Sequence, residues 1–138
     1  MYENWSHNKL RLNLRISRLF LVTILSVPLV AWAEWIPASD SNEATTFLDP
    51  SSVRYDGVFR KVWTLQNLKQ RHKDGELSRR MRDEYDCKQE RSRVLSATFH
   101  SGPMATGEVL ERLIEPGSWL DIVPSSHAAV IFKYLCTK

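Results

Sequence analysis

The chain lacks the features by which most enzymes and integral membrane proteins are recognised. Its 138 residues include only two cysteines and four histidines. It contains no GxSxG, no HExxH and no phosphate-binding loop, so no nucleophile, zinc or nucleotide motif is visible. Its longest apolar run has twelve residues, too few for a helix across a bilayer. We therefore expect a protein that is not an enzyme.

The apolar run, residues 19–30, lies in an N-terminal segment that is organised like a secretory signal peptide. Basic residues precede the run, namely Lys9, Arg11, Arg15 and Arg18. Ala31-Trp32-Ala33 follows it and offers the small side chains that signal peptidase requires. We expect residues 1–33 to be a signal peptide and residues 34–138 to be a single mature domain. A lipoprotein would carry Cys where Glu34 stands, so neither a lipid anchor nor a membrane span is expected after cleavage.

Positive charge is concentrated in the predicted signal peptide. Residues 1–33 hold four basic residues and one acidic residue, and the rest of the chain holds 15 of each. Proteins that coat nucleic acid carry a clear excess of positive charge, so nucleic acid is not an expected partner. His72, His100 and His127 lack the close spacing of metal ligands on one element. The sequence therefore predicts no metal and no cofactor.

Both cysteines, Cys87 and Cys136, lie in the predicted mature domain, 49 residues apart. In an exported bacterial protein, two thiols typically form a disulfide. A metal site or a catalytic thiol is the alternative, but neither a CxxC motif nor a nearby histidine pair supports it. A bridge closing a loop of this length contributes about 4 kcal/mol to stability in the chain-entropy model.

The first half of this domain has the composition of β-strands. Residues 44–49 are rich in β-branched and aromatic side chains, and residues 49–52 (DPSS) have turn chemistry. Asp56-Gly57 lies between two β-rich runs, so it predicts a two-residue hairpin with these residues as the turn. On the second strand, residues 58–65, we expect one face to hold Phe59, Lys61, Trp63 and Leu65.

The second half is less clear from pattern alone. Residues 70–75 read as a polar loop, whereas residues 76–100 fit either a helix or strands. Residues 108–114 suggest another short strand. Ser125 or Ser126 is suited to cap a C-terminal helix that runs to Leu135. The side of that helix expected to be buried carries Ala128, Ile131, Phe132 and Leu135.

The order of several landmarks resembles the surface-adhesin protein E family of Gram-negative bacteria. An early Trp35 is followed by Leu-Asp-Pro-Ser-Ser-Val at 48–53 and by a Val-x-x-x-Val-Trp strand at 58–63. Further along, the chain has Tyr-Asp-Cys at 85–87 and a terminal Cys136. The remaining landmarks are Arg91, Arg93, Gly107, Trp119 and Pro124. The resemblance covers essentially the whole predicted mature chain.

This resemblance implies an α+β fold, namely a small antiparallel β-sheet with a C-terminal α-helix tethered to it by one disulfide. It favours strands over residues 76–100, with a turn near residues 88–90. It also implies a binding function, since the member that names the family binds host matrix proteins such as vitronectin and laminin and can dimerise. That member is lipid-anchored, whereas this chain has Glu34 at the corresponding position.

The candidate binding residues are arginines that flank the Tyr-Asp-Cys motif: Arg79, Arg80, Arg82, Arg91 and Arg93. On adjacent strands they would form a basic face for an acidic protein or a heparin-like chain. The acidic residues interleaved with them also fit a solvated face whose charges pair with each other.

We therefore expect an exported, non-enzymatic binding protein that contacts a host matrix protein or an envelope component, and a homodimer is an open alternative. The periplasm is the expected location, with secretion or cell-surface display as alternatives. A soluble periplasmic protein of envelope maintenance or small-ligand binding is the second functional hypothesis.

Overall fold

A computed structural model describes residues 34–137 of the chain. The predicted signal peptide lies outside this range. Within it, an antiparallel sheet is followed by one α-helix, which confirms the α+β fold. The strands are β1 Ile36–Asp40, β2 Ala44–Asp56, β3 Phe59–Leu68, β4 Ser78–Asp86, β5 Arg91–His100, β6 Val109–Leu113 and β7 Leu120–Asp121, and the helix is α1 His127–Cys136. A short 3₁₀ helix, Pro103–Ala105, precedes β6.

Strands β1 to β6 pair in the order in which they occur along the chain. Strand β6 pairs with the C-terminal half of β5, and β7 pairs with the beginning of β5. Residues 76–100 thus form two strands joined by a turn, as the resemblance implied. Among residues 34–137, no helix has the length and hydropathy needed to cross a membrane.

Helix α1 covers one side of the sheet, which we call the helix side. The buried core joins Leu48, Val62 and Tyr85 of the sheet to Ile131 and Leu135 of the helix. Burial of side chains of this size contributes about 1.5–3 kcal/mol each relative to leaving them in water. Ile131 and Leu135 belong to the face of the helix that the sequence predicted to be buried, so that prediction is confirmed.

The helix begins where the sequence indicated. Ser126 is the N-cap, and its hydroxyl accepts a hydrogen bond from the N–H of Ala129 at 3.2 Å. At the other end, Cys136 forms the predicted disulfide with Cys87, with 5.5 Å between the two Cα atoms. Because Cys87 directly follows β4, the bridge fastens the last turn of the helix to the middle of the sheet.

Two local predictions in the first half need correction. The expected turn at residues 49–52 is an irregularity inside the continuous strand β2, where the pairing with β3 shifts register. The Asp49 carboxylate accepts hydrogen bonds from the N–H and hydroxyl of Ser51, so the same turn chemistry stabilises a bulge.

The hairpin between β2 and β3 is present, but its loop begins one residue later than expected. Asp56 pairs with Phe59, which leaves Gly57 and Val58 as the two loop residues. Gly57 has a φ of +57°, a conformation that glycine adopts without steric cost. Asp56 is therefore the last residue of β2 and not part of the turn.

Candidate functional site

The side of the sheet away from α1, which we call the open face, has no α-helix over it among the described residues, and the short 3₁₀ helix covers only its end at Asn67 and Ser78. Strand register assigns to it the odd-numbered side chains of β3, including Lys61, Trp63 and Leu65. The facing positions on β4 and β5 carry Arg80, Arg82, Glu84, Asp86, Arg91, Arg93, Ser96 and Thr98. Four of the five candidate arginines therefore lie on one face.

Arg91 and Arg93 are engaged in contacts within the protein. The Arg91 Nε lies 3.1 Å from the Asp86 carboxylate, and an Arg93 nitrogen lies 2.6 Å from Glu84. Both guanidinium groups also stack on the Trp119 ring, at 4.7 and 4.4 Å from its centroid. These arginines hold the segment that contains Trp119 against the sheet, so their charge is largely satisfied within the molecule.

Arg79 lies on the helix side and is separated from the other four. Its guanidinium forms two hydrogen bonds with the buried Glu76 carboxylate, at 2.7 and 3.1 Å, and lies over the ring of Phe99. Burial lowers the pKa of His127 on the same side, and the charge of Arg79 lowers it further. Arg79 is therefore part of the packing near α1.

Arg80 and Arg82 are the candidates whose charges remain available. Both are exposed, and neither forms an ion pair with a carboxylate of residues 34–137. The Arg80 guanidinium lies 4.5 Å from the Trp63 ring centroid, which orients it along the sheet surface. Cations held in this way are suited to carboxylate or sulfate groups of a partner.

A third available arginine, Arg112, was missed by the sequence reasoning. It lies on β6 opposite Thr98, and Thr98 in turn lies opposite Arg80 on β4. Arg112 is exposed and, within residues 34–137, forms no ion pair. No pattern in the sequence indicates it, because only the strand register brings residues 80 and 112 to either side of one residue.

An open cleft of about 370 Å³ lies between these arginines. Residues 96–98 on β5 line it together with Arg80, Trp63 and Arg112, and strand register places the side chains of Ser96 and Thr98 on this face. Leu113 and the largely exposed Ile114 complete its lining, in which no described residue is acidic. The cleft thus combines positive charge, hydroxyl groups and an apolar wall.

The electrostatic environment of His100 supports the positive charge of this cleft. Its Nε2 lies 2.9 Å from the hydroxyl of Thr98. Burial lowers the pKa of His100, and the positive charges of Arg112 and Arg80 lower it further. Both guanidinium groups therefore raise the positive potential in the same small region.

The described residues bring together no group of three or more His, Cys, Asp or Glu side chains that is suited to a metal ion. The three tryptophans considered at the sequence level, Trp35, Trp63 and Trp119, are all half-buried. The site that the structure offers is a basic and aromatic surface.

Comparison with known proteins agrees with this fold. The model of the surface-adhesin protein E family matches residues 35–137. Two crystal structures of Haemophilus influenzae protein E, one of them crystal form II, superimpose with TM-scores of 0.58 and 0.56 at 15% and 13% identity. Each match covers 82% of this chain, and it covers 94% and 91% of the two protein E chains, respectively. No curated protein matches the chain. The family model spans nearly all of the described residues, and the chain therefore belongs to the surface-adhesin protein E family.

Proposed function

We propose that the protein is exported and acts by binding another protein through the arginines of the open face, without catalysing a reaction. The observation that carries this proposal is the pair Arg80 and Arg82, two exposed guanidinium groups without a carboxylate partner among residues 34–137, on a face that α1 leaves uncovered. Family membership supports the same class of function. A partner with acidic side chains at its surface matches this face.

The partner is a host matrix protein if the protein reaches the cell surface, and an envelope component if it stays in the periplasm. We favour the periplasm, because Glu34 takes the place at which a lipoprotein carries cysteine. Fractionation into periplasm, outer membrane and medium tests the location directly. Recovery of the protein in the outer membrane fraction would contradict the periplasmic location.

Small-ligand binding in the periplasm, the second hypothesis, has weaker support. The cleft on the open face is open to solvent and lies among the same arginines. A homodimer also stays a prediction, with the free edge of β6 as the place where a second copy would add a strand.

Charge reversal on the open face should weaken partner binding. We expect Arg80→Glu/Arg82→Glu to raise the Kd for immobilised vitronectin or laminin about tenfold or more, since two favourable charges become repulsive. Surface plasmon resonance at two salt concentrations measures this. Because the contact is electrostatic, the wild-type Kd should also rise with salt.

Lys133→Glu is the matched control, because Lys133 is an exposed cation on α1, on the opposite side of the sheet. Its Kd should stay within about twofold of the wild-type value, as for a charge remote from the contact. Equal weakening by the control and the open-face variant would overturn the assignment of the face. Absence of wild-type binding to either matrix protein would overturn the matrix version of the proposal.

A further inference from the structure

We propose that the cleft on the open face binds a short acidic peptide segment of the partner, with one carboxylate held between Arg80 and Arg112. An aliphatic side chain next to that carboxylate would pack against Ile114. This inference rests on the proposed function, and it adds a ligand class and a defined binding position.

The strand register creates the carboxylate position. Arg80 and Arg112 flank Thr98 as its neighbours on β4 and β6, so their backbones are about 10 Å apart, two strand spacings. Two side chains of this length can converge on one group above Thr98. Each guanidinium has a planar fork of N–H donors that matches the two oxygens of a carboxylate.

The cleft is a trough because the β5 side chains between the arginines are small. Ser96 and Thr98 lie among the longer side chains of Arg82, Arg80 and Arg112 on the same face. The chain leaves β6 at Leu113, and the Gly117 N–H then donates to the carbonyl of Val94 at 2.8 Å. This crossing places Ile114, with 78% of its surface exposed, at one end of the trough.

The apolar wall favours a peptide over a sulfated polysaccharide. A polysulfated chain gains affinity from a long row of cations, whereas only Arg80 and Arg112 line the cleft. It also gains nothing from contact with Ile114. A peptide with alternating acidic and aliphatic residues uses both the charge and the apolar surface.

The test is a titration followed by NMR. The probe is the peptide acetyl-Leu-Glu-Leu-amide, added to ¹⁵N-labelled protein purified from cells that express the full chain. We expect saturable shifts of the Trp63 indole N–H signal and of the Arg80 and Arg112 side-chain signals. The peptide acetyl-Leu-Gln-Leu-amide should bind about tenfold more weakly, because hydrogen bonds to a charged group are the stronger ones.

Matched variants separate the cleft from a general effect of positive charge. Arg80→Gln and Arg112→Gln should each weaken the peptide about tenfold. Lys133→Gln should change its Kd less than about twofold, because Lys133 is an exposed cation on α1, on the opposite side of the sheet. Ile114→Ser should weaken binding about threefold or more through loss of apolar contact.

Three results would overturn the inference: no saturable shift, equal affinity for the Glu and Gln peptides, or equal losses in the Lys133 and Arg80 variants. Binding of a heparin hexasaccharide at these signals without peptide binding would also overturn it. If the peptide fails while Arg80→Glu/Arg82→Glu still weakens vitronectin or laminin, the proposed function stands and the cleft assignment falls. If the peptide binds and Arg80→Glu/Arg82→Glu leaves matrix binding unaffected, the cleft stands and the matrix version of the proposed function falls.

Discussion

Removal of the disulfide is expected to lower the free energy of unfolding by about 4 kcal/mol, through the double substitution Cys87→Ser/Cys136→Ser. The bridge closes a loop of 49 residues, and its loss restores the conformational freedom of that loop in the unfolded chain. It also frees the last turn of α1, and α1 is the helix that buries Ile131 and Leu135 against the sheet. Such a loss is a large share of the stability of a small domain.

Urea or guanidinium unfolding, followed by Trp fluorescence, measures this loss. Reductant supplies an internal control, because it should destabilise the wild-type protein by a similar amount and leave the double Ser variant unchanged. Unfolding of the variant at the wild-type denaturant concentration would show that the bridge adds nothing to stability.

The second large effect is expected at Asp83, a buried carboxyl group on the helix side. Burial raises its pKa to about 6, although the Thr64 hydroxyl, donating at 2.6 Å, lowers it in part. The folded pKa then exceeds the reference value of 3.8 for the unfolded chain. The folded state therefore binds the proton more tightly, and stability is lost as the pH rises through about 6.

Asp83→Asn removes the buried charge and keeps the shape of the side chain. We expect the variant to be more stable than wild type above pH 7, by up to about 3 kcal/mol, and similar to it below pH 4. Denaturant unfolding at several pH values gives this difference. Comparison at each pH cancels the contributions of other titrating groups, such as His100 and His127. A difference that does not vary between pH 4 and 8 would refute the pKa assignment.

Asp86 lies on the same strand but on the open face. It is the matched control, because its pKa is shifted in the opposite direction. Burial acts to raise its pKa, but the backbone N–H groups of Gln89 and Lys88 and the Arg91 guanidinium outweigh burial, so the pKa is lowered. Its ionised form therefore stabilises the fold above the unfolded pKa, and this contribution is lost as the pH falls. Asp86→Asn should destabilise the protein at neutral pH, where Asp83→Asn stabilises it.

The sequence predicted those elements whose determinants are local. Ser126 caps α1 through its own side chain, and the period of its apolar residues identifies the buried side of the helix. The prediction of a turn at residues 49–52 was wrong, because Asp and Ser side chains form the same hydrogen bonds to the nearby backbone inside a bulge. The hairpin loop was predicted one residue too early, because pairing along the whole of β2 and β3 determines where the loop begins.

The candidate site was only partly accessible from sequence, because charge density does not reveal which face a side chain occupies. Arg79 and Arg80 are adjacent in sequence yet lie on opposite faces, as alternation in a strand requires. A register shift in β5, between the partners of Arg82 and Asp83, places Arg93 and Ser96 on the same face. No local pattern predicts such a bulge, and none predicts that Arg112 joins Arg80 across β5.

The most direct test of the binding role of the open face is site-specific photo-crosslinking in cells that express the full chain. The photoreactive residue p-benzoylphenylalanine is placed at position 82 on the open face, and in a separate variant at position 133 on α1. The account predicts a discrete crosslinked protein from position 82 that is lost when Arg80→Glu is added, and none from position 133. A crosslink from position 133 alone, or from neither position, would contradict it.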